Sequence, residues 1–465
     1  VLEYNNKKDL LVKNIEFILD ANANETSLVN KVRDDLKQYI WPRLDFLHGR
    51  RRDERYFLFE EDYVETEWKD MISVHYINTS YHFKNTVMRV HVFLNNEISN
   101  SSYGGFFTLR RINEVQIMLS FIYPNWSNVV YDNNLLYVMS YTKKVHIQGK
   151  ELIMQTYPLF VQDNITVACA QADIISMTKY LHNKFDFNLL RIKTLESAYS
   201  VKKTKMFPTN GLNPIQMLQV FSFCNIPINY LTIMRNEETN NAGLYKEYVD
   251  YSIESAIPVL IGGQIKNKKG YYSKHVVQII GHTKKSRDQY VVYDDSGFLF
   301  RNVTESDGFV KVMDWNMLYD IISHEDSFLL SPIHEKVYLT YDNIKELLRL
   351  RYQSIESLTK LESNKYSFLS KTRFLLADNR TVKNFLRKQL NNSSLLEKEI
   401  QQINKILKQN MAHYVWYCEV PLQSGYLLFI ADPTYGKNTT HNIFYCEALY
   451  CDEQLSLLSF KTYYN

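Results

Sequence analysis

Val161-Gln162-Asp163-Asn164-Ile165-Thr166-Val167-Ala168-Cys169-Ala170-Gln171-Ala172 is the stretch on which the reading of this chain turns. A polar loop leads directly into a cysteine. Behind it, Ala170, Ile174, Met177 and Leu181 recur at helical spacing on one stripe, while Asp173 and Lys179 are expected to face elsewhere. The spacing predicts a helix with Cys169 at its N-terminus. Unpaired backbone N–H groups and the helix dipole stabilise a thiolate at that position, and the thiolate is the nucleophilic form of cysteine. A cysteine buried only for packing has the same local look, so other residues must decide.

Two later segments bear on it. Ala256-Ile257-Pro258-Val259-Leu260-Ile261-Gly262-Gly263 reads as a buried strand ending in glycines. After a polar excursion over 266–273, Lys274-His275-Val276-Val277-Gln278-Ile279-Ile280-Gly281-His282 opens an apolar strand on a histidine. A polar hairpin then leads to Gln289-Tyr290-Val291-Val292-Tyr293-Asp294-Asp295-Ser296-Gly297, a strand closing on carboxylates. Adjacent antiparallel strands joined in this way bring the start of one to the end of the next, which sets His275 beside Asp294 or Asp295. An acid beside imidazole fixes its tautomer and supports the imidazolium. An imidazole against a helix-N-terminal cysteine completes the pair that acyl transfer needs. Each residue also has a plainer reading: a satisfied histidine at a strand edge, and a turn at Asp294-Asp295-Ser296-Gly297. His282, expected in a turn after Gly281, is the competing base.

The whole-chain figures fit a soluble protein of several domains. At roughly 100–200 residues per domain, 465 residues make two to four domains. Apolar residues are 45% and charged residues 23% of the chain, both ordinary values. Lys and Arg number 54 against 51 Asp and Glu, a net charge of +3, so no nucleic-acid partner is indicated. The basic run Arg50-Arg51-Arg52 is followed closely by acids and reads as a solvated face. The five cysteines are too few and too scattered for a disulfide framework. No Cys-x-x-Cys pair occurs, and Cys446 and Cys451 lack partners at zinc-site spacing, so neither a metal nor a cofactor is expected. No run of 18 apolar residues suggests a membrane span, the start lacks a signal-peptide pattern, and residence in the cytoplasm is the expectation.

Helical periodicity over residues 1 to about 45 gives way to strand patterns at Val74-His75-Tyr76-Ile77, Val87 to Phe93 and Leu135 to Met139. Asn95-Asn96, Ser101-Ser102 and Gly104-Gly105 read as turns. Beyond 340, Asp342 to Leu348 looks like a capped helix start, Leu395 to Leu407 is amphipathic, and strands return at Tyr414 to Tyr417 and Tyr426 to Ile430. His413 and Asp432 stand at the same separation as His275 and Asp294, in a pattern read as a plain hairpin.

Together, Gln162, Cys169, Ala172, Pro258, His275, Gly281 and Asp294, with Asn210-Gly211-Leu212 and Ile215-Gln216-Met217-Leu218 between, resemble the papain-like cysteine peptidase clan. The nearest likeness is to the bacterial double-glycine leader peptidases of bacteriocin exporters and their stand-alone relatives. It covers roughly a third of the chain. Ala170 stands where that family usually has Gly, and Asp295 where it usually has Pro, which leaves the third triad member open between Asp294 and Asp295. The resemblance implies an α+β papain-like fold, a Cys169–His275–Asp294 triad, and Gln162 as an oxyanion donor worth roughly 3 kcal/mol of barrier. The expected division is an N-terminal α+β domain over 1–150, a papain-like hydrolase domain over 151–330, and a C-terminal helical region ending in a strand hairpin over 331–465. The expected activity is cleavage of a peptide or isopeptide bond in a peptide or protein substrate, with flanking domains free to meet a partner protein. A deamidase, transglutaminase-like enzyme or acyltransferase would use the same triad, and a non-catalytic binding module is the third reading.

Overall fold

In the computed structural model the described residues are 56–76, 85–93, 95–111, 115–122, 130–131, 134–162, 169–199, 211–232, 242–266, 272–283, 288–295, 310–322, 327–359, 372–391, 395–422, 425–435 and 444–451. The helices expected before residue 45, the Arg50–Arg52 run and the loop from Asp163 to Ala168 lie outside them. The chain opens with β1 (Tyr56–Tyr63), α1 (Thr66–Met71), β2 (Val87–Phe93), β3 (Tyr103–Arg111), β4 (Val115–Ile122), β5 (Val130–Tyr131), β6 (Asn134–Val138), β7 (Tyr141–Ile147) and β8 (Lys150–Phe160). It continues with α2 (Cys169–Phe185), α3 (Ile192–Tyr199), α4 (Pro214–Phe223), β9 (Ile228–Thr232), α5 (Ala242–Glu254), β10 (Val259–Lys266), β11 (Tyr272–Thr283), β12 (Gln289–Tyr293), β13 (Val310–Asp314), α6 (Trp315–Ile322) and β14 (Phe328–Pro332). It closes with α7 (Tyr341–Thr359), β15 (Arg373–Asp378), α8 (Asn379–Gln389), α9 (Glu397–Lys408), β16 (Tyr414–Leu422), β17 (Gly425–Ala431) and β18 (Phe444–Cys451). The class is α+β, built on antiparallel sheets. Among the described residues, no helix is long and apolar enough to cross a membrane.

Two compact units divide the chain: residues 1–238 with 260–330, and residues 239–259 with 331–465. The first holds a sheet of order β1-β2-β3-β4-β8-β7 and a second of order β13-β12-β11-β10-β14-β9, with β6 also paired to β11. The division expected at residue 150 is therefore corrected. β8 begins at Lys150, pairs with β7 over Lys150 to Thr156 and with β4 over Tyr157 to Phe160, and α2 packs on it, so the leading sheet and the cysteine helix share one body. Part of the expected middle domain, α5, belongs to the second unit. That unit is also more than helices and a hairpin: β15, β16, β17 and β18 form a four-stranded antiparallel sheet against which α5 and α8 pack.

Local differences have local causes. Val74 to Tyr76, expected to be a strand, continue α1 as a π-helical turn over Ile72–Tyr76. Gly104 and Gly105 lie inside β3 rather than in a turn. Gly105 takes a φ of +115° where the ladder between Val92 and Phe93 changes register, a bulge that glycine tolerates without strain. Gly262 and Gly263 do not end β10. They make room for the Phe328 ring and for the Ile321 carbonyl, which a β-carbon would meet at 2.1 Å in each case.

Gly281 is a third close approach. β11 is paired there both to β12 and to β6, with a register shift at Ile279/Gly281, and a β-carbon on Gly281 would lie 2.0 Å from the Tyr137 carbonyl oxygen. Gly281→Ala is expected to force β6 away from β11 and to cost about 1–3 kcal/mol, as crowding in a packed interior does. Urea denaturation of the two proteins measures it, and equal midpoints would refute the close-approach account.

Candidate active site

α2 is the central helix of the first unit. Ala170 to Thr178 are buried without a break, as are Tyr180 and Leu181. The sequence expectation of one apolar stripe is thus too narrow, since the helix is enclosed by β8, β11 and β7. Lys179 does not face solvent either and pairs with Glu67. The helix ends where Asp186 turns left-handed, with its N–H donating to the His182 carbonyl at 3.0 Å, a common C-terminal stop.

Cys169 is the first residue of α2 and is partly exposed. Its thiol is hydrogen-bonded to the His275 side chain, and the backbone N–H groups of Ala170 and Val276 also point at the sulfur. Burial would push the thiol up. The bond to His275, the imidazolium charge and the two N–H groups outweigh it and hold the thiol below its usual value. The helix start supplies one of those N–H groups, because residues of the first turn have no carbonyl partner within the helix.

His275 lies near the start of β11 and is buried. Its Nε2 is 2.9 Å from Asp294 Oδ1, which leaves Nδ1 for the thiol. Burial works against its protonation. The Asp294 carboxylate and the bond to Cys169 reverse that and carry the imidazole well above its ordinary value. The expected antiparallel pairing is present, with Gln278 opposite Tyr293, so Asp294 just past β12 comes level with the beginning of β11. Of the two acids, Asp294 is the one bonded to the His275 ring. Asp294 holds the His275 Nε2 side of the ring, while the Asp295 carboxyl is fully buried and has no side-chain partner among the described residues. His282 sits within β11, where its Nδ1–H donates to the Thr283 carbonyl at 2.7 Å and its ring packs on Tyr137.

Gln162 follows β8 in the same unit and is half-buried. The loop joining it to Cys169 lies outside the described residues. The scaffold around the pair is tied by hydroxyls. Phe160 N–H donates to Ser176 Oγ at 2.9 Å, and Tyr293 O–H donates to the Phe160 carbonyl at 2.5 Å, so β8, α2 and β12 are fixed to one another beside Cys169.

The other described cysteines differ from Cys169. Cys224, Cys418 and Cys446 are buried and free. Burial pushes the Cys224 thiol up to about 11 and raises Cys418 further. One further grouping concerns metals: donor atoms of His275, Asp294 and Asp295 all lie within 4.8 Å of one another. His275 and Asp294 already satisfy each other there. In the second unit, the His413–Asp432 pattern does not form a second site. His413 pairs with Asp378 at 3.3 Å, while Asp432 accepts from Thr434 N–H at 2.8 Å and bonds Tyr445.

Sequence reasoning missed Asp173, one turn beyond Cys169 on α2. It is fully buried, both its oxygens lack a hydrogen-bond partner among the described residues, and Asp295 is its strongest charged neighbour. The available signal was its position four residues after the cysteine, which places two side chains on one helix face. No family model matches this chain, and no curated protein matches it.

Proposed function

We propose that the chain is a papain-like thiol hydrolase that cleaves a peptide or isopeptide bond through Cys169. The observation that carries this reading is the relay of contacts from the Cys169 thiol to the His275 imidazole and on to the Asp294 carboxylate, set at the head of a buried helix. Such a relay supports thiolate and imidazolium together near neutral pH. The thiolate attacks the carbonyl carbon, and the oxyanion so formed is held by donors, among which we place Gln162 by resemblance. The C–N bond breaks as the imidazolium gives its proton to the leaving amine. The thioester left on Cys169 is hydrolysed by water, from which His275 takes a proton. Asp294 keeps the imidazole aimed and balances its charge throughout.

Iodoacetamide at pH 6 is expected to label Cys169 ahead of Cys224, Cys418 and Cys446, all three buried, the first two with thiols pushed up by that burial. Cys169→Ala should abolish that labelling and all turnover. Labelling that persists in the variant would remove the nucleophile from this reading. Mass spectrometry of cell extract treated with either protein then defines the acceptor. New peptide termini that depend on Cys169 mean hydrolysis of the chain, whereas Cys169-dependent mass changes without new termini would replace cleavage with deamidation or acyl transfer.

A further inference from the structure

The acid end of the relay holds one group more than the chemistry above uses. Asp295 follows Asp294 directly after β12 and is 0% exposed. Neither of its carboxyl oxygens has a hydrogen-bond partner from another residue among the described residues. A carboxylate in that state is costly to bury. Its neighbours are other metal-ligating groups. A ring nitrogen of His275, an oxygen of Asp294 and an oxygen of Asp295 all lie within 4.8 Å of one another, and all three residues are buried. His275 Nε2 is 2.9 Å from Asp294 Oδ1, so Nε2 is the nitrogen on that side of the ring. Charge does not balance there. With Asp294 ionised and His275 protonated, an ionised Asp295 leaves one buried negative charge unmatched. Of the charged groups acting most strongly on Asp295, His275 alone is a cation, while Asp294 and Cys169 add like charge.

We propose that His275 Nε2, Asp294 and Asp295 form a site for one divalent cation of the zinc class. The site goes beyond the hydrolase reading and does not depend on it. A cation on Nε2 takes the place of the proton that bonds Asp294, and its two charges match two carboxylates around a neutral ring. Cation and relay proton therefore compete for one nitrogen. Ligands bonded to a common zinc ion at about 2 Å stand about 3–4 Å apart, so donors already inside 4.8 Å close on one with side-chain shifts of about 1 Å. Imidazole joined to carboxylates suits zinc and its transition-metal neighbours, whereas magnesium and calcium favour sets of oxygen alone. Nδ1 stays toward Cys169, so the sulfur is not a ligand.

The test is zinc binding by the full chain, freed of metal with a chelator and titrated calorimetrically with zinc chloride. One zinc ion per chain is expected, with far weaker binding of magnesium chloride. Cys169→Ala removes the thiol and none of the three donors, so it should bind zinc as the unmodified protein does. Asp295→Asn removes a ligand and should weaken binding by about tenfold or more, because even the groups behind metal ligands contribute that much. Absence of stoichiometric zinc overturns the proposal, and so does magnesium binding as tight as that of zinc. Unchanged affinity in Asp295→Asn also overturns it. Loss of binding in Cys169→Ala does the same, because the metal would then sit on sulfur. If Asp295→Asn does not fold, X-ray absorption by the zinc-loaded unmodified protein decides. A shell of nitrogen and oxygen alone at about 2.0–2.2 Å supports the site, and a sulfur at about 2.3 Å refutes it. Should Cys169 resist iodoacetamide in the metal-free chain, the hydrolase reading fails by itself, whatever the zinc titration gives.

Discussion

His275→Ala is expected to slow alkylation of Cys169 at pH 6 by about 10²-fold or more, while the variant and the unmodified protein converge near pH 10. A free cysteine titrates near 8.5, so below that value each pH unit removes a further factor of about ten in thiolate. In the native site the imidazole offsets the burial of the sulfur. Without it, only the backbone N–H groups of Ala170 and Val276 offset the burial, and the thiolate is scarce at pH 6. At pH 10 the thiol ionises in both proteins and the difference closes. Turnover should not recover at that pH, because the leaving amine has lost its proton donor, a loss of about 10²–10⁴ in rate. The direction with pH follows from the native shifts. The cysteine is lowered and the histidine raised, so a thiolate–imidazolium pair is expected between the two ionisations, with the proposed activity expected to fall on either side. Equal alkylation rates at pH 6 would show that His275 does not activate the sulfur.

The largest effect on stability is expected in the second unit. Arg373 at the start of β15 donates from Nε to Glu254 Oε2 at 2.6 Å and from Nη1 to Glu419 Oε2 at 3.0 Å, with all three side chains buried. Arg373→Met leaves two carboxylates in the interior without their cation, and removal of one partner from a buried ion pair costs about 3–5 kcal/mol. In the variant Glu419, raised by burial even beside Arg373, loses the cation that lowers it, so its folded-state ionisation lies above its unfolded value. The cost is therefore complete at alkaline pH and shrinks as pH falls and this acid takes up a proton. Replacing Glu254 and Glu419 with Leu in the same variant should recover most of the stability, because apolar groups of similar size need no cation. Urea denaturation at pH 5 and pH 8 distinguishes these outcomes. A loss independent of pH would mean that packing of the guanidinium, rather than its charge, is what β15 requires.

The cysteine, the histidine and the aspartate were legible in the sequence because each sits where a pattern changes. Cys169 stands where polar loop gives way to helical spacing. His275 and Asp294 bracket two apolar runs joined by a polar turn, and antiparallel pairing then brings them level. The choice between Asp294 and Asp295 was not legible, since alternation says which face a side chain takes but not where it ends once the strand stops. Asp173 was misplaced for a different reason. Periodicity assumes that a helix has one wet face, and α2 is enclosed nearly all round. The break expected at 150 failed because a strand's sequence does not name its partners. β8 could have begun a new sheet, and instead it extends the leading one.

β6 carries a consequence for anyone wishing to excise the reactive centre. The segment 134–138 lies well before Cys169 in the chain, yet it forms the ladder along Gly281 to Thr283 of the strand that bears the histidine. A fragment trimmed to start at 151 would leave that stretch of β11 without its neighbour and would also strip β7 and β4 from β8. Bare backbone of this kind recruits other chains. The minimal unit worth expressing alone thus reaches back into the leading sheet, and its natural limits follow hydrogen-bonded ladders rather than the span of the motif.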